Sequence, residues 1–366
     1  MLDLDQLLRN AVERGASDVH IKVGSPPFIR IDGRLERTDI APVSPVETER
    51  IAFAIMPKQR AEEFIGSSEA DFAYSVLGLG RFRVNVMRQR GSVGLVLRRV
   101  QSDIPSFEAL GLPPVIRKLT DHQRGLILVT GPTGSGKTTT LGSMIDFIND
   151  NYNRHIVTIE DPIEILHADK CSIVNQREVG TDTADFHSAL KRVLRQDPDV
   201  ILVGEVRDVE TVKTALTAAE TGHLVFSTLH TISATDSINR IIDFFPPHEQ
   251  RQVRMSLASS LRGIVSQRLV EKRLGGRAPA VEVLVSTGRV FDKIVNPDET
   301  HEIEQIIAEG EYYGMQTFDQ SLLGLYKHGV IDLREAIAAS TTPHDLRLMI
   351  EQHTMELAAE QAAAGQ

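Results

Sequence analysis

The sequence predicts an α/β chain: a smaller α+β domain, then a largely parallel sheet flanked by helices, then a helical region to the end. Three observations carry this. From Gly125 onward, apolar runs of strand length alternate with stretches whose apolar residues recur at helical spacing, as a parallel sheet with helices on both faces requires. Before that, residues 1–100 hold short strand-like pieces punctuated by Gly and Pro around two helical stretches. Past about residue 288 the pattern becomes helical. The expected division is 1–100, a linker over 101–114, a sheet domain over 115–287 and a helical region over 288–366.

Taken in order, Leu4, Leu7, Leu8, Ala11 and Val12 share one face of an opening helix, and Gly15 is placed to stop it. Short strands follow at 18–23, 28–32 and 34–37, and a helical stretch at 45–64. Residues 71–74 and 81–100 read as β; in the latter Phe82, Val84 and Val86 alternate with Arg81, Arg83 and Asn85. Pro105, Gly111, Pro113 and Pro114 mark the linker. Further strands are expected at 125–130, 154–160, 171–175, 199–204, 223–228 and 279–286. The last segment, 342–363, runs into an Ala/Glu/Gln tail of the kind that frays.

Composition excludes several classes. A chain of 366 residues fits two domains and an appendage. No apolar run approaches the roughly 20 residues of a membrane span. The acidic start, Met1-Leu2-Asp3-Leu4-Asp5, is unlike a basic-then-apolar signal peptide. A lone cysteine, Cys171, excludes an internal disulfide and a cysteine-based zinc cage. These features read as cytosolic. A net charge of −10 argues against a general nucleic-acid surface, so no nucleic-acid partner is expected.

The chemistry centres on Gly131-Pro132-Thr133-Gly134-Ser135-Gly136-Lys137-Thr138, with Thr139 following. It lies between the apolar run 125–130 and a helical stretch in which Leu141, Met144, Ile145 and Ile148 recur. Glycines there let backbone N–H groups turn toward a polyphosphate, and the helix N-terminus adds partial positive charge. Lys137 can reach the β- and γ-phosphates, and the Thr138 hydroxyl can ligate Mg²⁺. This is a P-loop nucleotide site, and a nucleoside triphosphate with Mg²⁺ is the expected ligand.

Three further boxes surround it. The strand 156–160 ends in Glu160, Asp161 and Glu164 around Pro162. Acids at the C-terminal edge of a parallel sheet face the ligand crevice, where one can position or deprotonate water; a solvated acidic turn is the alternative. Glu160 is counted with the nucleotide-binding residues. Residues 199–204 form a second buried strand ending in Glu205, placed to bind Mg²⁺, through water, as a Walker B acid does. His223 and His230 flank the strand between them. His223 is as readily structural as functional, whereas His230 lies at the P-loop edge and suits a γ-phosphate sensor. Finally, Arg81, Arg83, Arg88, Arg90, Arg98 and Arg99 crowd one β region: a solvated strand face, or arginines that reach a neighbouring subunit's triphosphate.

The boxes GPTGSGKTTT, TIEDPIE, RQDPDVILVGEVRD and TGHLVFSTLHT resemble those of the secretion ATPase superfamily. With ASDVHI at 16–21 and RFRVN at 81–85, the chain is similar to the retraction ATPases of type IV pili from residue 1 to about 287. The resemblance implies a homo-hexameric ATPase motor for pilus retraction and twitching motility, with a PAS-like N-terminal domain and a RecA-like P-loop domain. It implies Glu164 as catalytic base, Glu205 as Walker B acid and His230 as γ-phosphate sensor, and it places Arg83, Arg88 and Arg98 where the family keeps nucleotide-contacting arginines. It also implies an inner-membrane pilus platform protein as partner, a peripheral location at the pilus base, and a paralogous retraction ATPase as a second partner. The chain departs from the family at 288–297, where an AIRNLIRE-like segment is replaced by one keeping scattered apolar positions. An accessory retraction subunit is the alternative function. A pilus assembly ATPase fits less well, since its usual four-cysteine zinc motif cannot be built here. A nucleic-acid translocase is disfavoured by the acidic charge.

Overall fold

The computed structural model describes residues 2–31, 33–100 and 102–364, with side chains to 355. Asp32, the expected end of a strand, and Gln101, the first expected linker residue, lie outside the described residues. The chain divides into two compact units, Met1–Asp103 with Glu164–Leu166, and Ile104–Ile163 with His167–Gln366.

In the first unit, α1 (Leu4–Glu13) starts where Asp3 accepts from the Gln6 amide and buries Leu4, Leu7, Leu8 and Ala11. Strands β1 (Asp18–Ile21), β2 (Phe28–Ile31), β3 (Arg34–Arg37), β4 (Glu69–Val76), β5 (Gly80–Gln89) and β6 (Ser92–Arg99) form an antiparallel sheet in the order β3-β2-β1-β6-β5-β4. The region expected as one β stretch over 81–100 is a hairpin. Gln89 pairs with Ser92 across Arg90 and Gly91, both at positive φ, which is the backbone of a tight two-residue turn. The helical stretch expected over 45–64 is two helices, α2 (Pro45–Ile55) and α3 (Lys58–Ser67). Met56 precedes Pro57, and the proline ring pushes it out of helical backbone to φ −80°, ψ 128°.

The second unit begins within the stretch read as linker. Here α4 (Phe107–Leu110) and α5 (Val115–Thr120) bury Phe107, Val115, Ile116 and Leu119. Its seven-stranded sheet has the order β13-β12-β7-β11-β10-β8-β9, from β7 (Gly125–Thr130), β8 (His155–Glu160), β9 (Ile173–Glu178), β10 (Val200–Val203), β11 (Leu224–Leu229), β12 (Leu261–Glu271) and β13 (Arg277–Val285). All neighbours are parallel except the β12–β13 hairpin. Strand β12 is absent from the sequence expectation: Arg262, Ser266, Gln267 and Arg268 break its apolar run.

Two apolar layers sandwich this sheet. On one face α6 (Lys137–Asn151) packs Met144, Ile145 and Ile148 with α5 against Ile127, Val129 and Phe226. On the other, α7 (Phe186–Val193), α8 (Val209–Glu220), α9 (Ala234–Asp243), α10 (Pro247–Ser260), α11 (Gly288–Val295) and α12 (Ile303–Ala308) cover Leu128, Ile201, Val225 and Ile264. The remaining helices, α13 (Phe318–Lys327), α14 (Leu333–Ala339) and α15 (Pro343–Ala364), pack Phe318, Leu322, Ala336 and Leu346 against Val270, Ala278 and Ala280 of the hairpin. Asp319 pins them together: its carboxylate accepts from Ser340 Oγ, the Thr341 and Thr342 amides and Thr342 Oγ1. The α/β class with a strand-rich N-terminal part and a helical C-terminal region is therefore the architecture observed.

Candidate functional site

The site is built on the C-terminal ends of the parallel strands. Strand β7 is buried throughout and delivers the chain into 131–136. At Gly131, with φ 141°, a Cβ would lie 2.3 Å from the Gln267 carbonyl oxygen and 2.6 Å from Ser135 Oγ, so this position admits no side chain. Gly136, at φ 91°, caps α6 in the left-handed conformation. The helix then starts at Lys137, where its unsatisfied amides add positive potential. Lys137 Nζ bends back over the loop, donating to the carbonyls of Gly131 at 2.8 Å and Pro132 at 3.0 Å. Ser135 is buried, and its hydroxyl has no hydrogen-bond partner among the described residues. A turn too tight for a Cβ, an orphaned hydroxyl and a lysine resting on carbonyls fit a bound polyphosphate.

Strand β10 leads through Gly204 to Glu205. Its end is pinned by Ser227 Oγ, which donates to the Val203 carbonyl, and Thr228 Oγ1, which donates to that of Gly204. Glu205 Oε2 lies 3.3 Å from His230 Nε2, and its other oxygen pairs with Arg207. Desolvation, then the charges of Lys137 and Arg207, hold the His230 pKa below the ordinary histidine value. These causes favour the neutral imidazole, which has one N–H to donate. Glu205, Arg207, His230, Thr231, Arg240 and Phe244 line an open cleft of about 480 Å³. His223 is placed differently: its Nδ1 lies 3.0 Å from the Ala218 carbonyl, which fastens it to the end of α8.

The three acids at the end of β8 separate. Glu160 is buried and accepts from Thr158 Oγ1 at 2.6 Å and Gln176 Nε2 at 3.1 Å. Asp161 and Glu164 are exposed, and Glu164 groups with the first unit. Glu178, which sequence reasoning missed, holds the same turn by accepting from the Ile163 amide.

Arg83, Arg88 and Arg98 also lie in the first unit. Arg83 is exposed on β5. Arg88 faces Glu49 at 3.4 Å and stacks 5.2 Å above the Phe64 ring. Arg98 Nε donates to Asp18 at 2.8 Å. Burial of Asp18 opposes its ionisation, but hydrogen bonds from Arg98 and Ser17 outweigh this and lower its pKa.

For a metal, Thr138 and Glu205 offer hard oxygen donors, and no group of three or more His, Cys, Asp or Glu is gathered for one among the described residues. Such a set suits Mg²⁺ held largely by phosphate and water rather than a protein cage. Gln267 was the other residue missed. It is buried behind the loop, and its Oε1 accepts from Thr140 Oγ1 at 2.8 Å. The signal was present: polar Ser266 and Gln267 inside an apolar run.

The model of the type II/IV secretion system protein family matches residues 1–317. The chain is 43% identical over 344 residues to the type IV pilus retraction ATPase PilT of Pseudomonas aeruginosa, covering 94% of this chain and all of that one. It is 44% identical over 351 residues to the type IV pilus ATPase PilU of the same organism, covering 96% and 92%. A crystal structure of the pilus retraction motor PilT with bound ADP superposes with a TM-score of 0.87 at 47% identity, covering 95% of this chain and 99% of that one. The chain belongs to the type II/IV secretion system family, as one of its nucleotide-binding P-loop ATPases.

Proposed function

We propose that this chain is the ATP-hydrolysing motor that retracts a type IV pilus and drives twitching motility. It would act as a homo-hexamer on a platform protein at the inner membrane. The similarity to a retraction ATPase over nearly the whole length of both chains carries this reading. No helix among the described residues is long and apolar enough to cross a membrane; in this reading the platform protein supplies the membrane attachment.

The amides of 131–138 and the start of α6 then hold the triphosphate, with Thr139 and Glu160 beside them. Lys137 exchanges the Gly131 and Pro132 carbonyls for phosphate oxygens. Thr138 and, through water, Glu205 would hold Mg²⁺, which neutralises charge on those oxygens. Glu164 orients the attacking water and takes its proton. His230 gives its N–H to the γ-phosphate. Arg83 and Arg88 reach a neighbouring subunit's nucleotide, while Arg98 is engaged by Asp18 in its own unit.

Near-equal similarity to PilU favours a second reading, an accessory retraction ATPase that works beside a paralogue. Expression in type IV-piliated cells lacking their retraction ATPase separates the two. Restored twitching with the wild-type chain but not Lys137→Ala supports the motor. Restoration only when a paralogue is co-expressed supports the accessory role, and none under either condition refutes both.

A further inference from the structure

Outside the phosphate-facing residues, one buried polar row has no role in the reading above. Thr130, Ser266 and Glu282 are register neighbours across β7, β12 and β13, and all three are buried. Thr130 Oγ1 donates to Ser266 Oγ at 3.1 Å, and Ser266 stands directly opposite Glu282 on the neighbouring strand. Glu282 Oε1 accepts from the Ala234 amide, the first of α9, at 2.7 Å. One end of the row therefore sits immediately before Gly131. The other sits four residues after His230. A carboxylate that accepts the amide at a helix start both satisfies an orphan donor and favours the dipole. Apolar residues would fill this space more cheaply than a buried acid, so its presence marks a position the fold needs fixed. A second staple joins the same loop to α9, where Thr231 Oγ1 lies 2.7 Å from Ser237 Oγ.

We propose that Glu282 is a positioning residue of the hydrolytic site, tying the His230 loop through α9 and Ser266 to the strand that carries the P-loop. The proposal rests on His230 acting at the γ-phosphate. The test compares full-length wild type with Glu282→Ala, Glu282→Gln, His230→Ala and the double variant Glu282→Ala/His230→Ala. Single-turnover ATP hydrolysis and affinity for a non-hydrolysable ATP analogue are measured for each. Loss of positioning predicts about a tenfold or greater fall in hydrolysis for Glu282→Ala, with affinity held within about twofold. Glu282→Gln keeps an oxygen for the Ala234 amide and should recover most of the rate. In the His230→Ala background, Glu282→Ala should cost less than about twofold more, since coupled residues are non-additive. Multiplying losses would overturn the positioning role alone. A wild-type rate for His230→Ala would overturn the reading of His230 and the proposal with it. If Glu282→Ala does not fold, Ser266→Ala carries the same cycle, with a fall of about threefold expected and additivity again decisive.

Discussion

In the proposed reading Gly131 and Lys137 serve the phosphates by opposite means, one by having no side chain and the other by the charge on a long one. Lys137→Ala is expected to lower ATP hydrolysis by about a hundredfold or more while leaving the melting temperature close to wild type, because one preorganised contact to the transferring group is lost. Wild-type turnover in a steady-state assay would contradict the P-loop assignment. The acids divide their labour in the proposed reading. Glu164→Gln should bind Mg·ATP normally yet hydrolyse it poorly, whereas Glu205→Ala should also show a Mg²⁺-dependent binding defect. Calorimetry across Mg²⁺ concentrations would refute this division if both variants gave one affinity throughout. Glu282 adds a pH signature. Burial, with Glu304 nearby, raises its pKa to about 7 against an ordinary 4.5; the Ala234 amide, Ser266 and Arg268 pull the other way. A folded pKa above the unfolded one stabilises the protein at low pH. That contribution is lost as pH rises from about 4.5 through about 7, by up to about 3 kcal/mol. Denaturation midpoints at pH 5 and 8 should therefore differ more for wild type than for Glu282→Gln.

At the level of elements, α11 shows how a few apolar positions seat a helix. Thr287 caps it, Val290 and Ile294 are fully buried against the sheet's helical face, and Val295 packs beside them. Cutting Ile294 to Ala should cost about 2–5 kcal/mol, read as a lower melting temperature, while hydrolysis below that temperature stays near wild type. The apolar spacing of 290, 294 and 295 made this helix legible in the sequence. The strands leading to the P-loop, to Glu205 and to His230 were legible for a related reason: each is a buried apolar run ending abruptly in Gly, Glu or His. Strand β12 was not legible, because its polar residues face partners inside the protein. Ser266 meets Thr130, Gln267 meets Thr140, and Arg268 stacks on Phe318. Side chains satisfied by distant elements look, in one dimension, like a surface. The break at Met56–Pro57 and the Arg90–Gly91 turn went unread for a smaller reason, since each is a single-dipeptide backbone effect inside a longer periodic run.

For the whole molecule, the proposed ring makes the nucleotide site a shared property of two subunits. Arg88→Ala and Lys137→Ala subunits, each inactive alone, should recover activity when mixed, because some interfaces then pair an intact P-loop with an intact arginine. No recovery in mixed hexamers verified by native mass spectrometry would count against action between subunits. The central claim, that the work done is retraction, is tested most directly by deleting the gene in its own host and scoring surface pili and twitching. Retraction predicts hyperpiliated cells that do not twitch, because assembly continues unopposed. Bald cells, or normally piliated cells that twitch, would contradict it.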